Sequence, residues 1–132
     1  MKVIENLKNK VNKNTNLIKR GRWINLSFIF GVNEKEFIFK IVDGKINSIS
    51  QKKVDTEFGI FKISSSLENW EKHWLKIPPR DFHDLFAMLS KKIIKLDGDL
   101  KPLMQNLQYF KDLIASNRTC LLYTSDAADD LG

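Results

Sequence analysis

Between Trp23 and Ser50 apolar and polar residues alternate with a period of two, and that pattern leaves few folds open. Ile24, Leu26, Phe28 and Phe30 fall on one face of an extended segment, with Asn25 and Ser27 on the other. Gly31 to Lys35 reads as a hairpin turn. Beyond it Phe37, Phe39 and Ile41 resume the pattern, with Glu36 and Lys40 facing away. Asp43-Gly44 is the strongest short hairpin signal in the chain, because a tight primed turn needs positive φ. A weaker third strand is predicted over 46–50 and a fourth over 57–63, with Phe61 and Ile63 inward. Strands with one greasy and one wet face make an antiparallel sheet covered on a single side.

The rest of the sequence supplies the cover. Ile93, Ile94 and Leu96 form a short strand that turns at Asp97-Gly98-Asp99 into an amphipathic helix. Asp99 is the predicted N-cap, and Pro102 falls in the first turn, where a missing N–H costs little. Leu103, Leu107, Phe110 and Ile114 follow at helical spacing, widened by Met104 and Leu113. Upstream, Ser65-Ser66-Leu67-Glu68 has capping-box spacing, and the helix it opens carries Leu67, Trp70 or Glu71, Trp74 and Leu75 until Pro78-Pro79. Asp81 is the predicted cap of a further helix over 82–92, striped by Phe82, Leu85, Phe86 and Leu89. Val3, Ile4, Leu7 and Val11 predict a helix over 2–12, which the asparagine-rich run up to Asn16 ends. The class is α+β.

The chain has 132 residues, enough for one domain with a real core. It is basic, at +6, and the surplus is concentrated at the start: residues 1–22 hold seven Lys and Arg against Glu5. This N-terminal arm, residues 1–19, has two readings. Lys2, Lys8, Lys10 and Lys13 would touch an anionic membrane surface, or they are the solvated side of a packing helix, which is the favoured reading. No apolar run approaches the roughly 20 residues of a membrane span. The lysine-rich start has no hydrophobic segment or cleavage site of a secretory signal, so a cytoplasmic location is expected.

The end reads differently. Cys120 to Asp129, CLLYTSDAAD, is one reading frame of the DNA end carried by transposase-based sequencing libraries. Residues 119–132 are accordingly read as a non-native, adapter-derived tail in a gene assembled from raw reads, and are set aside from the folded domain. With them goes Cys120, the one cysteine, and any thiol, disulfide or cysteine-ligated chemistry.

Catalytic and metal constellations are not expected in what remains. His73 and His83 stand ten residues apart on two predicted helices, short of the three or four converging ligands that zinc needs. Asp81 and Asp84 beside His83 read as caps, and Ser64 to Ser66 lack a nucleophile-elbow pattern. The glycines are scattered at turns and form no phosphate-cradling loop. No cofactor is implied. The basic surplus invites a nucleic-acid reading with Trp23, Phe28 and Phe37 as stacking platforms. Phe28 alternates onto the same face as Leu26, however, which is core placement, and nucleic acid is not the expected partner. Nine phenylalanines and three tryptophans remain to fill a small one-sided sheet. They pack a core, or they line a cavity for an apolar ligand.

The succession Ile60-Phe61-Lys62-Ile63-Ser64, Leu67-Glu68-Asn69-Trp70, the helix Phe82 to Ser90, and Ile94-Lys95-Leu96-Asp97-Gly98-Asp99 before an apolar helix resembles the sterol-carrier-protein-2 domain family. The resemblance covers about residues 20–117, the domain being 20–118. It is specific in order and spacing rather than in any one motif, and the N-terminal helix matches loosely. It implies a five-stranded, mostly antiparallel sheet in the order 3-2-1-4-5, helices on one face, and a hydrophobic tunnel between the layers. By position it implies Leu103, Met104, Leu107, Phe110 and Ile114 on the lid side of that tunnel. Trp74, Phe82 and Phe86 would be walls, and Leu26, Phe28, Phe39 and Phe61 would line it from the sheet. Arg20, Arg22 and Lys101 are the candidates for an anionic headgroup. The implied activity is non-catalytic binding or transfer of a fatty acid, acyl-CoA, sterol-like or other lipid. The alternatives are a structural or regulatory module of a larger lipid-metabolising enzyme and, less favoured, nucleic-acid binding.

Overall fold

The structure, a computed structural model, describes residues 2–54 and 59–118. Its elements run α1 (Lys2–Asn12), α2 (Thr15–Arg20), β1 (Leu26–Val32), β2 (Lys35–Val42), β3 (Lys45–Gln51), β4 (Phe61–Ser65), α3 (Leu67–His73), α4 (Leu85–Ser90), β5 (Lys95–Gly98), α5 (Lys101–Gln105) and α6 (Leu107–Ala115). Among the described residues the sheet has five strands in the order β3-β2-β1-β4-β5. The pairs β1–β2, β2–β3 and β4–β5 are antiparallel, and β1–β4 is parallel. The expected order and the mostly antiparallel pairing are what the structure has. The fourth strand begins at Phe61, and Glu57 and Phe58 lie outside the described residues.

The alternation decides the interior. Phe28 stands opposite Phe39, Phe30 opposite both Phe37 and Ile63, and Ile63 opposite Leu96, so one sheet face carries a row of large apolar groups. The hairpin Asp43-Gly44 has φ of 51° and 80°, the geometry its sequence calls for. The outer face is less wet than its sequence reads: Ile29 is buried there and Ile38 half-buried. Glu36 sits on that face between Lys62 and Lys52, and its bond to Lys62 above all holds its carboxyl below the usual range.

Ring stacks fill the space between sheet and helices. Phe28 lies 5.1 Å from Phe39 and 5.2 Å from Phe61, and Phe110 of α6 meets both Phe28 and Phe61 edge-on. Phe30 packs 4.6 Å from Trp70 of α3. The indoles bury their N–H groups on backbone carbonyls, Trp70 Nε1 on Gly31 O (2.9 Å) and Trp74 Nε1 on Ile114 O (2.8 Å). A buried ring carrying a polar handle fixes helix position as well as filling volume.

The N-terminal helix belongs to this core. Ile4, Leu7 and Val11 are fully buried in the same cluster as the sheet phenylalanines, leaving lysines outside. Asn12 at its end bonds the β3 backbone twice, donating to Ile46 O and accepting from Ile46 N, both at 2.9 Å. A side-chain amide thus stands in for a neighbouring strand at an exposed edge. The apolar face that a membrane would have to take is already occupied.

Helix ends depart from the sequence reading. The cap of α3 is Ser66, bonded to Asn69 N, whereas Ser65 donates to Ile93 O, so the Ser65–Glu68 box does not form. The cap of α4 is Asp84, not Asp81, which has φ of 72° and lies in the loop before it. The helix is correspondingly short, and Phe82 precedes it. Leu75, expected on the α3 stripe, is exposed past the helix end. The long final helix is two. Asn106 (φ −125°) breaks it, its side chain donating to Pro102 O at 3.0 Å. Asp99 does accept from Lys101 N, though Leu100 is the boundary residue.

Tyr109 shows what the break achieves. Turned inward, it donates its hydroxyl to Gly44 O at 2.7 Å, and burial pushes the phenol well above its ordinary range. A Cβ on Gly21 would run into the Tyr109 ring, and one on Gly44 would stand 2.7 Å from Gly21 O. The loop after α2, the hairpin and α6 are thereby closed on one another.

Candidate functional site

Away from the ring stacks, the same sheet face meets helices through aliphatic side chains. Ile63 of β4, Leu96 of β5 and Ile94 form a floor; Leu85, Phe86 and Leu89 of α4 form one wall. Leu103 and Met104 of α5 and Leu107 of α6 form the other. All nine are apolar. Phe86 and Met104 are 39% and 41% exposed, so they mark the mouth of a slot that leads to fully or nearly fully buried Leu103 and Leu85. The cavity among them is about 10 Å³, the room of a single water at most, so little free space is left between the two walls.

Local chemistry places both walls. Asp84 starts α4 by accepting from Phe86 N at 3.0 Å, and Lys111 of α6 pairs with the same carboxylate at 2.8 Å. Burial works to raise the Asp84 carboxyl, but the lysine and the amides of Phe86 and Ala87 outweigh it and hold the group below its usual range. The Lys111 ammonium also lies 4.9 Å from the centre of the Phe86 ring. On the other wall, the break at Asn106 lets Leu103 and Leu107 face the slot while Phe110, Leu113 and Ile114 face the core.

The twelve expected lining residues therefore divide. Phe86, Leu103, Met104 and Leu107 come together around the slot. Phe28, Phe39, Phe61 and Phe110 lie in the stacked core, with Ile114 and Trp74 buried beside it. Leu26 is half-buried at the start of β1, and Phe82 is half-buried beneath the Lys72 ammonium, 5.1 Å away. None of Arg20, Arg22 and Lys101 lines the slot. Arg20 pairs with Asp112, and Arg22 lies over the exposed Trp23 ring. Of the proposed stacking platforms, Phe28 and Phe37 are buried and only Trp23 is exposed. The slot's other lining residues, Leu85, Leu89, Ile94, Leu96 and Ile63, read in the sequence as plain core. Among the described residues, no group of three His, Asp or Glu side chains is placed to hold a metal ion.

The sequence matches no family model and no curated protein. Its structure does resemble solved ones. A crystal structure of sterol carrier protein 2 superposes with a TM-score of 0.70 at 14% identity, over 88% of this chain and 93% of that one. The chain has the sterol-carrier-protein fold. Palmitated SCP2L2 from Aedes aegypti has a TM-score of 0.56 at 15% identity, covering 85% of this chain and 90% of its own. The sterol carrier protein domain 2 of Helicoverpa armigera has a TM-score of 0.55 at 19% identity, with 86% of each chain covered. In this chain the slot lies between the sheet and its helical cover. Among the described residues no helix is long and apolar enough to cross a membrane.

Proposed function

We propose that this protein is a member of the sterol-carrier family and binds a lipid without catalysis, the apolar chain of the ligand entering between α4 and α5–α6. The observation that carries the reading is the slot: nine apolar side chains from five segments converge with no polar atom needed among them, and two of them, Phe86 and Met104, are exposed. Opening it moves only short pieces, since α4 has six residues and α5 five, and Asn106 already separates α5 from α6. Each methylene that leaves water for such a site gains ~0.8 kcal/mol, so a long chain offsets the cost of parting aliphatic walls. Palmitated SCP2L2, which shares the fold, supports an acyl chain as ligand.

The test is displacement of a fluorescent fatty acid from the full chain by its unlabelled counterpart. Met104→Asp puts a charge at the exposed mouth and is expected to weaken binding at least about tenfold, ~1.4 kcal/mol, with the melting temperature kept. A chain that binds neither probe, or a Met104→Asp variant that binds as the parent does, refutes the reading.

A further inference from the structure

The helices α4 and α6 both line the slot and are held in unlike ways. Three other parts of the chain pin α6. Tyr109 donates its hydroxyl to Gly44 O at 2.7 Å, Ile114 O accepts from Trp74 Nε1 at 2.8 Å, and Asp112 pairs with Arg20. Phe110 stands edge-on in the ring stack besides. In α4, Leu85 and Met88 are buried, but apolar contact is nearly all that holds it. Among the described residues, the polar contacts that residues 84–90 make with other elements all go to one side chain, Lys111.

Lys111 grips the helix at two points. Asp84 divides its carboxylate: Oδ2 accepts from Phe86 N at 3.0 Å and starts α4, while Oδ1 takes the Lys111 ammonium at 2.8 Å. The same ammonium lies 4.9 Å from the centre of the Phe86 ring, one of the two exposed side chains at the slot's mouth. Lys111 and Asp84 are both half-buried, so salt screens the pair less than one on an open surface.

On either side of α4 the chain is fixed. Before it, Phe82 O accepts from His73 Nδ1 at 2.7 Å and His83 O from Arg118 Nη2 at 3.1 Å. After it, Ile93 O accepts from Ser65 Oγ at 2.6 Å, with the left-handed Lys92 (φ 60°) between that point and the helix. The six residues of α4 are thus a strap between two anchors, tied across the slot by one cation. The empty slot has no room for a chain, and parting its walls on the α4 side draws Asp84 and Phe86 away from Lys111. From this arrangement, and resting on the lipid-binding reading above, we infer that Lys111 is a positioning residue that latches the empty slot, α4 being the wall that yields and α6 the wall that stays. The latch belongs to the closed form, so its loss raises the fraction of open molecules and tightens binding by the same factor.

Titration and stopped-flow mixing of the full chain with a fluorescent fatty acid test this. Asp84→Asn keeps a capping oxygen for Phe86 N and gives up the ion pair; Lys111→Met keeps the apolar stem and gives up the charge. Each is expected to bind the probe about three- to tenfold more tightly through faster association, as the loss of one half-buried pair and one ring contact allows. The two variants shift net charge in opposite directions, so tightening in both is not attraction to the probe's carboxylate. Lys111→Arg, whose guanidinium pairs with a carboxylate and stacks on a ring, is expected to keep the parent affinity. Without ligand, hydrogen exchange is expected to quicken at the amides of Met88, Leu89 and Ser90 in Asp84→Asn and Lys111→Met and to stay unchanged at Phe110, Leu113 and Ile114. Unchanged or weaker binding in either of those variants, or exchange that quickens in α6 as it does in α4, overturns the inference while binding by the parent still upholds the lipid reading. A parent that binds no probe refutes the lipid reading and this inference with it.

Discussion

The two halves of the interior are built on one sheet face and differ in kind. Under β1 and β2 the contacts are ring on ring: Phe28, Phe30, Phe39, Phe61, Trp70 and Phe110 are fully buried or nearly so, and the two indoles are pinned by hydrogen bonds. Beyond Phe61, under β4 and β5 the contacts are aliphatic but for Phe86, three of the slot's nine side chains come from a six-residue helix, and two of the nine are exposed. Close-packed rings with fixed polar handles have one low-energy arrangement. Leucine and methionine on short elements have several. The contrast assigns stability to one half and, on the proposed reading, the admission of a guest to the other.

The contrast is sharpest in truncations. Phe28→Ala removes a ring that touches Phe39, Phe61 and Phe110, and is expected to cost about 3–5 kcal/mol in urea unfolding. A loss below ~1 kcal/mol would mean that the core is as yielding as the slot. Next in size is the pH response of His73, which packs edge-on to Trp70 at the border of the ring stack. Burial holds its imidazole below the usual range, with the Arg118 and His83 charges adding to it and the Phe82 carbonyl and Asp84 opposing. The unfolded chain therefore takes up the proton first as pH falls through about 6.5. Stability present above that value declines as pH falls toward the lower folded value, and the melting temperature is expected to drop as pH falls below about 6.5. His73→Asn, which keeps a donor for Phe82 O, is expected to lose that slope; a parent with no slope contradicts the buried neutral ring. The smallest effect is expected at the mouth. Phe86→Ala, at a 39% exposed site, should shift stability by less than ~1 kcal/mol while changing fatty-acid affinity measurably. A large loss of stability there would make Phe86 a core residue and erase the difference between the halves.

Strands were legible because their signals are local. Period-two alternation from Leu26 to Ile41 and the positive φ demanded at Asp43-Gly44 are set by neighbours in the chain, and the register Phe28–Phe39 follows from them. The order and spacing of the later segments were enough to suggest the fold. Of the proposed slot, the sequence pointed to Phe86, Leu103, Met104 and Leu107, and it missed Ile63, Leu85, Leu89, Ile94 and Leu96. An apolar residue on a stripe looks the same whether it faces a ring stack or a slot, and a lysine gives no sign that a ring and a carboxylate await it.

What the amino-acid order determined by itself was a one-sided sheet, its turns, and amphipathic cover for it, because backbone sterics and side-chain periodicity act over a few residues. Tertiary structure alone decided that the last helix breaks at Asn106, that Asp84 rather than Asp81 starts α4, and that Tyr109 reaches Gly44. Those outcomes weigh weak local preferences, of a kcal/mol or so, against long-range packing worth more, and the packing partners lie dozens of residues away.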